Sequence, residues 1–341
     1  MMESPQQALL RWCERQLPAA TRPLVLSPVA GDASFRRYYR LSGCDPIRIA
    51  VHAPPDKEKN LEFTRIAALL RAAGVQAPEV LAHDEAHGYL LIGDFGDRLL
   101  LSALDEVSVD LLYARALETL LRVQSAPTVQ DGWRLPDYSR ALLDQEMRLF
   151  PQWFLERLLG LGPGAQEREL LEQVFGRLCD EALAQPQVLV HRDYHSRNLM
   201  LLEDGSLGVI DFQDAVRGPI TYDPVSLLRD CYVAWEPQRV RRWALDYADR
   251  ARAAGLLGAV EPARFLRWFD WMGLQRHIKV LGIFARLWLR DGKRAYLDDL
   301  PLVMHYTLEV AAAHPEFDEF TAWFRARVLP AASRQDWYRG A

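Results

Sequence analysis

Two short apolar runs joined by Asp204-Gly205 constrain the fold of this chain more than any other feature of its sequence. The runs are Leu199–Leu202 and Leu207–Ile210. Asp-Gly between two apolar runs is a strong β-hairpin signal. If the turn is centred between Asp204 and Gly205, opposed residues have numbers that sum to 409, which pairs Asn198 with Asp211. We therefore expect these two side chains to face each other across the open end of the hairpin, with Cβ atoms roughly 4.5–5.5 Å apart.

Oxygen-bearing side chains at this end of the hairpin suit one divalent cation. An amide oxygen and a carboxylate so placed can share a hard ion such as Mg²⁺. Asp193 lies on the loop that leads into the hairpin and could take a proton from a hydroxyl beside the metal. Each residue taken singly also fits a surface hairpin with polar ends. The three together also suit metal-assisted chemistry on a hydroxyl group.

Length, charge and hydropathy limit the class of protein. The chain has 341 residues, of which 50% are hydrophobic and 26% charged, as in ordinary globular proteins of one large or two modest domains. The net charge of −5 gives no basic footprint, so we expect no nucleic-acid partner. No apolar run approaches the roughly 20 residues of a membrane span, so we expect no membrane association. Four widely spaced cysteines and no signal sequence predict a cytoplasmic protein with reduced thiols.

The residue pattern changes along the chain from β-rich to helical. A short amphipathic helical stretch, Ala8–Leu17, comes first. Strand-like stretches separated by turns fill much of the remaining residues up to 92, with a second helical pattern that ends at Gly74. Helical periodicity dominates after residue 97, and a single β-rich stretch, Val188–Ile210, interrupts it. We predict a β-rich lobe over residues 1–92, a link over 93–97 and a helical lobe over 98–341.

The motif His191-x-Asp193-x4-Asn198, followed by a hairpin and Asp211, resembles the catalytic and metal-binding loops of the kinase-like phosphotransferases. Where protein kinases carry Asp-Phe-Gly, this chain has Asp211-Phe212-Gln213-Asp214, which is similar to the aminoglycoside phosphotransferase and choline kinase branch. The resemblance implies an α+β, two-lobed protein-kinase-like fold. Such a fold has a small antiparallel β-sheet lobe with a helix and a larger, mainly helical lobe.

Further segments resemble the bacterial anomeric amino-sugar kinases of cell-wall (peptidoglycan) recycling, which phosphorylate N-acetylmuramate and N-acetylglucosamine at C1. These segments are Gly31–Tyr39, Ala53–Pro55, His191–Asn198, Ile210–Ala215 and Arg276–Leu287, within a similarity from about residue 7 to 330. The resemblance implies ATP as donor, Mg²⁺ as cofactor and an amino sugar as acceptor, and it leaves the oligomeric state open. The alternatives are another small acceptor (an aminoglycoside, homoserine, choline or another sugar) and a kinase-fold nucleotide binder that transfers no phosphate.

The same resemblance assigns roles to residues around the hairpin. Asp193 matches the catalytic base, and Asn198 and Asp211 match the metal ligands. His195 and Arg197 match positions that contact phosphate or support the loop.

Nucleotide binding is assigned to two glycine-containing segments. Gly31-Asp32-Ala33-Ser34 matches the turn that covers the phosphates, where backbone N–H groups can face phosphate oxygens. Gly93-Asp94-Phe95 matches the link between lobes, whose backbone would hold adenine.

Candidate acceptor-binding residues lie close in sequence to the catalytic groups. They are Tyr194, Gln213, Asp214 and Arg217. The lactyl carboxylate of muramate suits a bidentate arginine, for which Arg217 and Arg276 are the candidates. His277 and Lys279 on a predicted helix, Trp268–Leu289, could close the acceptor site.

One departure from the kinase pattern concerns the third strand. Kinases place a lysine there to hold the α- and β-phosphates, but Ile47–His52 contains none. Arg48 on the strand and Lys57 and Lys59 beyond Pro54-Pro55 are the alternatives. In kinases a glutamate on the following helix pairs with the strand lysine, and here the candidates for that glutamate are Glu62 and Glu58.

Overall fold

The computed structural model describes residues 4–18, 22–29, 35–130 and 132–338. Within those residues, no helix combines the length and apolar character that crossing a membrane requires. Packing divides the chain into two compact units. Unit 1 comprises Met1–Pro127 and Arg197–Ala215, and unit 2 comprises Thr128–Ser196 and Val216–Ala341.

The strands are short. In chain order they are β1 (Val25–Pro28), β2 (Arg37–Ser42), β3 (Arg48–His52), β4 (Val80–Asp84), β5 (Tyr89–Gly93), β6 (Val129–Gln130), β7 (Trp133–Arg134), β8 (Gln187–Val190), β9 (Leu199–Leu201), β10 (Leu207–Val209) and β11 (Val216–Pro219).

The α-helices of unit 1 are α1 (Pro5–Gln16), α2 (Asn60–Ala72) and α3 (Val109–Ser125), and a 3₁₀ turn at Leu101–Ala103 precedes α3. Those of unit 2 are α4 (Arg140–Met147), α5 (Ala165–Leu183), α6 (Tyr222–Leu228), α7 (Pro237–Ala253), α8 (Pro262–Asp291), α9 (Leu300–Ala312), α10 (Asp318–Trp323) and α11 (Leu329–Ala332). Unit 2 also has π-helical segments at Phe150–Leu158 and Phe324–Val328 and 3₁₀ turns at Arg294–Leu297 and Pro315–Phe317.

Unit 1 contains an antiparallel sheet of five strands in the order β1-β2-β3-β5-β4. The predicted small antiparallel sheet is therefore confirmed. Helix α1 begins with a capping box, in which the Ser4 side chain accepts the Gln7 N–H and the Gln7 side chain accepts the Ser4 N–H. Its apolar side packs on one face of the sheet in a cluster that includes Trp12, Leu41 and Ala50.

The β9–β10 hairpin and α3 also belong to unit 1. The hairpin is joined to the rest of the unit by backbone hydrogen bonds from Val209 to Gln76 (2.7 Å) and from Leu201 to Arg98 (2.8 Å). The Phe212 ring, just beyond the hairpin, stacks on Phe63 of α2 with ring centroids 4.9 Å apart. This grouping by packing differs from the predicted lobes 1–92, 93–97 and 98–341, and those boundaries stay a prediction.

Unit 2 is built around α8, a helix of 30 residues. Pro262 stands at its first position, where a missing backbone N–H costs nothing. Helix α8 contains the predicted helix Trp268–Leu289, and most of its side chains from Phe265 to Leu287 are buried. Two charged side chains of α8, Arg276 and Lys279, therefore lie in the interior of unit 2.

Candidate active site

The β9–β10 hairpin forms, but its register is one residue away from the expected one. Leu207 pairs with Leu201, so paired numbers sum to 408 rather than 409. The loop has three residues, Glu203–Gly205, instead of two. Gly205 has a φ of +78°, and a left-handed residue at this position closes three-residue hairpin loops.

The register changes the neighbour of Asn198. Asn198 stands opposite Ile210, whose N–H donates to the Asn198 carbonyl at 3.1 Å. The expected cross-strand pairing of Asn198 with Asp211 is therefore wrong. The two side chains still meet, because Asp211 has a φ of +66°, which takes its side chain out of the alternation of the strand.

The Asp211 carboxylate lies between two amide groups. Asn198 donates from Nδ2 to Asp211 Oδ2 at 3.4 Å, and Gln213 donates from Nε2 to Asp211 Oδ1 at 2.8 Å. The carboxylate is exposed, whereas both amide side chains are partly buried. An anionic oxygen is thus held in place at the surface of unit 1.

These residues fit a magnesium site of the usual kind. In the part of the chain that the structure describes, no group of three His, Cys, Asp or Glu side chains is arranged to hold a metal. Mg²⁺ is commonly held by one or two carboxylates and completes its coordination with water and substrate phosphates. Asp211 supplies one such oxygen. A half-turn of the Asn198 amide would exchange its Nδ2 for Oδ1 and supply a second.

Asp193 lies in unit 2, on the loop that follows β8. Its N–H donates to Nδ1 of His191 at 3.2 Å, and its carbonyl accepts the His195 N–H at 3.1 Å. Burial raises the pKa of its carboxyl, but the ammonium of Lys279 and the nearby His195 and Arg192 outweigh that effect and hold the pKa below its ordinary value. The carboxylate is ionised at neutral pH, as a general base must be.

The backbone of this loop is held by Asp223 at the start of α6. Its carboxylate accepts the N–H of His191 at 2.7 Å and that of Arg192 at 3.0 Å. Burial raises the pKa of Asp223 to about 7, although these two N–H donors act in the opposite direction. Arg192 has a φ of +77°, a conformation that costs a non-glycine residue roughly 1–3 kcal/mol. The surrounding contacts therefore impose the shape of the loop.

A second anchor of the loop was not found from the sequence. The buried side chain of Ser196 donates to Asp230 Oδ2 at 2.5 Å, and the Ser196 N–H donates to the same oxygen at 3.0 Å. Both residues are almost fully buried. His195 next to it is partly buried and packs edge-on against Tyr232, with ring centroids 5.4 Å apart.

A buried polar cluster adjoins Arg192. We call it the Glu146 cluster, and its members are Tyr138, Glu146, Arg192, Tyr222 and Lys279. Lys279 Nζ lies 3.0 Å from Glu146 Oε1 and donates to Tyr222 Oη at 2.8 Å. Arg192 and the Tyr138 hydroxyl also donate to the Glu146 carboxylate. Lys279, predicted to close the acceptor site, is thus bonded inside unit 2.

Glu146 carried a sequence signal that was missed. It lies on the apolar side of α4, three residues after Leu143 and beside Met147, both completely buried. A charged residue at a core position of an amphipathic helix needs a buried partner of opposite charge. Helix α8, with Lys279, supplies that partner.

The predicted nucleotide residues fall into two groups. Gly31, Asp32, Ala33 and Ser34 lie outside the described residues. In the link, Asp94 accepts hydrogen bonds from Arg40 Nε at 2.6 Å and from the Gly96 N–H at 2.8 Å. The Gly93 N–H donates to the carbonyl of Glu79 at 3.0 Å.

Phe95 packs against the hairpin. A Cβ on Gly208 would lie 2.6 Å from the Phe95 ring, so only glycine fits at that position. The side chains of Asp94 and Phe95 thus hold the link within unit 1. An adenine contact through the backbone of Gly93, Asp94 and Phe95 stays a prediction.

The predicted acceptor residues differ in accessibility. Tyr194 is completely buried, which removes it from the residues that a sugar can contact. Arg276 is also buried and donates to Cys231 Sγ at 3.4 Å. Arg217 is partly exposed, and its Nη1 lies 3.3 Å from Asp137 Oδ1. Asp214 is partly exposed and pairs with Lys59.

Two other predicted residues, His277 and Arg197, differ in burial. His277 is completely buried, its ring nitrogen Nε2 lies 3.2 Å from the Arg229 carbonyl, and burial lowers its pKa to about 3. It therefore cannot close an acceptor site. Arg197 is exposed in unit 1, and its phosphate or loop role stays a prediction.

Comparison with known proteins identifies relatives of the whole chain. A Pseudomonas putida protein named N-acetylmuramate/N-acetylglucosamine kinase is 44% identical over 294 residues, covering 86% of each chain. A Pseudomonas aeruginosa protein of the same name is 43% identical over 301 residues, covering 87% of each. The solved structure of a Plasmodium vivax ethanolamine kinase matches with a TM-score of 0.63 at 11% identity, covering 94% of this chain and 92% of that one.

The fold and the family follow from these matches. The structural match confirms the predicted kinase-like fold. The family model described as "Phosphotransferase enzyme family" matches residues 25–257, a range that contains Asp193, Asn198 and Asp211. Because this match spans more than half of the chain, the chain belongs to the phosphotransferase enzyme family.

Proposed function

We propose that this phosphotransferase moves the γ-phosphoryl group of ATP, with Mg²⁺, to the C1 hydroxyl of N-acetylmuramate and N-acetylglucosamine. The observation that carries the proposal is the identity of 44% and 43% to two kinases named for these sugars, each over more than four-fifths of the chain. Both sugars are components of peptidoglycan. We therefore propose a role in cell-wall recycling, and a cytoplasmic location because the donor is ATP.

Asp193 is the base of the proposed reaction. As the C1 oxygen forms its bond to the γ-phosphorus, the O–H bond breaks and the proton passes to the Asp193 carboxylate. The bond from the γ-phosphorus to the β,γ-bridging oxygen breaks, and its electron pair leaves with ADP. The lowered pKa of Asp193 keeps the carboxylate free of a proton before this step. An anomeric hydroxyl is more acidic than an ordinary alcohol, which suits a weak base.

Asn198 and Asp211 are the proposed metal ligands. When bound, Mg²⁺ supplies neutralisation of phosphate charge, which is a large part of catalysis in phosphoryl transfer. Gln213 keeps the Asp211 carboxylate in one orientation through its hydrogen bond at 2.8 Å. These residues therefore fix an anionic oxygen before the nucleotide arrives, so that little reorganisation is needed.

Arg217 is the proposed contact for the lactyl carboxylate of N-acetylmuramate. Its guanidinium is partly exposed and already lies beside a carboxylate, that of Asp137. The planar guanidinium fork binds carboxylates in a bidentate manner. N-acetylglucosamine lacks this group, so Arg217→Ala is expected to raise KM for N-acetylmuramate selectively.

A panel assay tests the proposed activity. The purified protein is incubated with MgATP and each of N-acetylmuramate, N-acetylglucosamine, an aminoglycoside, choline and homoserine, and ADP release is followed. Phosphorus NMR of the product then identifies the oxygen that carries phosphate. We expect C1 phosphates of the two amino sugars. Faster transfer to any other acceptor, or phosphate on another hydroxyl, contradicts the proposal.

A further inference from the structure

The third strand of unit 1 lacks the lysine with which kinases hold the nucleotide phosphates. The pairing register of β3 with β2 decides whether Arg48 can replace that lysine. Arg48 is paired with Leu41 of β2, and Ala50 lies on the same face of β3 two residues later. Leu41 and Ala50 are both buried in the cluster that contains α1. Arg48 therefore stands on the face of the sheet that packs against α1.

The opposite face of the sheet is the one close to Asp211. Tyr38 of β2 and Val51 of β3 are paired on this face. The Tyr38 hydroxyl interacts electrostatically with the guanidinium of Arg36 and with the carboxylate of Asp211. A cation that acts beside the proposed metal ligand must come from this side of unit 1, and Arg48 does not.

Lys59 does come from this side. Its ammonium Nζ lies 2.7 Å from Asp214 Oδ1, three residues beyond Asp211. The position of Lys59 relative to Asp211 is reinforced by the stacking of Phe63, one turn further along α2, on Phe212. Two contacts thus join the start of α2 to the segment that carries the proposed metal ligand.

The segment that carries Lys59 is itself braced by a buried ion pair. Arg36 Nε lies 3.1 Å from Glu58 Oε2, with side-chain exposures of 2% and 10%. Arg36 also donates from Nη2 to the Lys59 carbonyl at 3.3 Å, and its guanidinium lies 5.0 Å from the centroid of the Phe63 ring. Arg36 is therefore enclosed, and its charge is already opposed by Glu58. Lys59, at 60% side-chain exposure, is accessible, in contrast to Arg36.

We propose that Lys59 binds the phosphate groups of the nucleotide in place of the missing strand lysine, and that the Arg36–Glu58 pair fixes the segment on which it stands. A phosphate oxygen competes with Asp214 for the same ammonium. An exposed ion pair contributes little to stability, so the Lys59–Asp214 contact is weak enough to exchange. The inference rests on the proposed function, because it requires ATP as the donor.

Nucleotide binding without any acceptor tests this inference. Isothermal titration of the full chain with MgATP, and with adenosine as a ligand that has no phosphate, is compared for four proteins: the unmodified chain, Lys59→Met, Lys57→Met and Asp214→Asn. Lys57 is a matched control, because it is an exposed lysine two residues away whose ammonium lies 3.4 Å from the adjacent Asp56. Asp214→Asn removes the charge that competes for Lys59.

We expect Lys59→Met to weaken MgATP binding by roughly 10–100-fold, the value of a hydrogen bond to a charged group, and to leave adenosine binding unchanged. Lys57→Met should bind MgATP as the unmodified chain does, and Asp214→Asn should bind it as tightly or more tightly. Unchanged MgATP affinity in Lys59→Met overturns the inference. So does an equal loss in Lys59→Met and Asp214→Asn, since that outcome means that the pair is only structural. An unmodified chain that binds no MgATP overturns the proposed function as well.

Discussion

The ammonium nitrogen of Lys279 on α8 lies 3.0 Å from the carboxylate oxygen Oε1 of Glu146 on α4. The packing of the two helices brings together residues that are far apart in the sequence. Their side chains are exposed by only 7% and 8%. A buried pair of this kind adds little stability compared with an apolar pair of the same shape, because both charges lose their hydration. Removing one member is costly, however, because the other charge stays in the interior.

Glu146→Gln is therefore expected to lower the free energy of unfolding by about 3–5 kcal/mol. The reason is that Arg192 and Lys279 lose their shared counter-charge. Chemical denaturation measures the change. Glu172→Gln is the control, since it removes an exposed pair, 2.7 Å long, with Arg148 and should cost less than about 1 kcal/mol. Equal losses in the two variants would contradict the interpretation of Glu146 as a buried counter-charge.

Lys279→Met is expected to change the pH dependence of catalysis. Burial raises the pKa of Asp193, and Lys279 is the strongest of the cationic neighbours that lower it. Without the ammonium this pKa rises, so Asp193 becomes protonated at a higher pH as the solution is acidified. The acidic limb of the kcat/KM profile should therefore move to higher pH. A uniform loss of activity with an unmoved limb would assign Lys279 a purely structural role.

Asp193→Asn is expected to lower kcat by roughly 10²–10⁴-fold, as is usual when a general acid–base group is removed. The amide cannot accept the proton of the sugar hydroxyl. Single-turnover kinetics, together with the MgATP dissociation constant, separates a lost chemical step from lost binding. The affinity for MgATP should stay unchanged, and Asp204→Asn, at the exposed loop of the hairpin, should keep normal turnover. Near-normal turnover of Asp193→Asn would remove Asp193 from the mechanism.

Asp211→Ala is expected to abolish Mg²⁺-dependent phosphate transfer. It removes the anionic oxygen that Asn198 and Gln213 hold in place. Electron paramagnetic resonance of Mn²⁺ with ADP provides a binding readout that is independent of activity, and Mn²⁺ affinity should fall in parallel. Gln213→Ala should weaken Mn²⁺ binding less, because it removes an orienting hydrogen bond and keeps the ligand. An unchanged Mn²⁺ affinity in Asp211→Ala would show that the metal binds elsewhere.

Acidification is expected to destabilise the protein partly through His277. Burial lowers its pKa to about 3 in the folded chain, whereas an unfolded histidine titrates near 6.5. Below pH 6.5 the unfolded state therefore takes up a proton that the folded state does not. The free energy of unfolding therefore falls by about 1.4 kcal/mol for each pH unit between pH 6.5 and pH 3. His277→Phe should reduce the slope of unfolding free energy against pH over this range, and an unchanged slope would contradict this role of His277.

Local sequence patterns anticipated much of unit 1. The apolar pattern and the turn signals predict strands at Arg36–Leu41, Ile47–Val51 and Gly88–Ile92, each within one residue of β2, β3 and β5, because these features act over a few neighbouring residues. The same reasoning predicted a pairing register for the β9–β10 hairpin that is one residue away from the observed register. Asp204-Gly205 is compatible with a loop of two or three residues, and the choice depends on the conformation that Gly205 adopts.

Contacts between distant segments were harder to anticipate. The sequence left Arg48, Lys57 and Lys59 as equal candidates for the missing lysine. The register of β3 with β2 sets Arg48 apart, and the contact with Asp214 distinguishes Lys59 from Lys57. Tyr194 follows the proposed base directly, yet its ring turns into the core. A position next to a catalytic residue does not determine the direction of a side chain, because the packing of unit 2 around the loop does.

The resemblance of the motif that contains Asp193, Asn198 and Asp211 to the kinase-like phosphotransferases was sufficient to predict the family, since such a motif is a local pattern of residue types at set intervals. The amide contacts of Asp211, the enclosure of Lys279 beside Glu146 and the pairing of Lys59 with Asp214 could be found only in the folded chain. Each depends on how helices and strands pack, and packing reflects the shapes and charges of many residues at once rather than the order of a few.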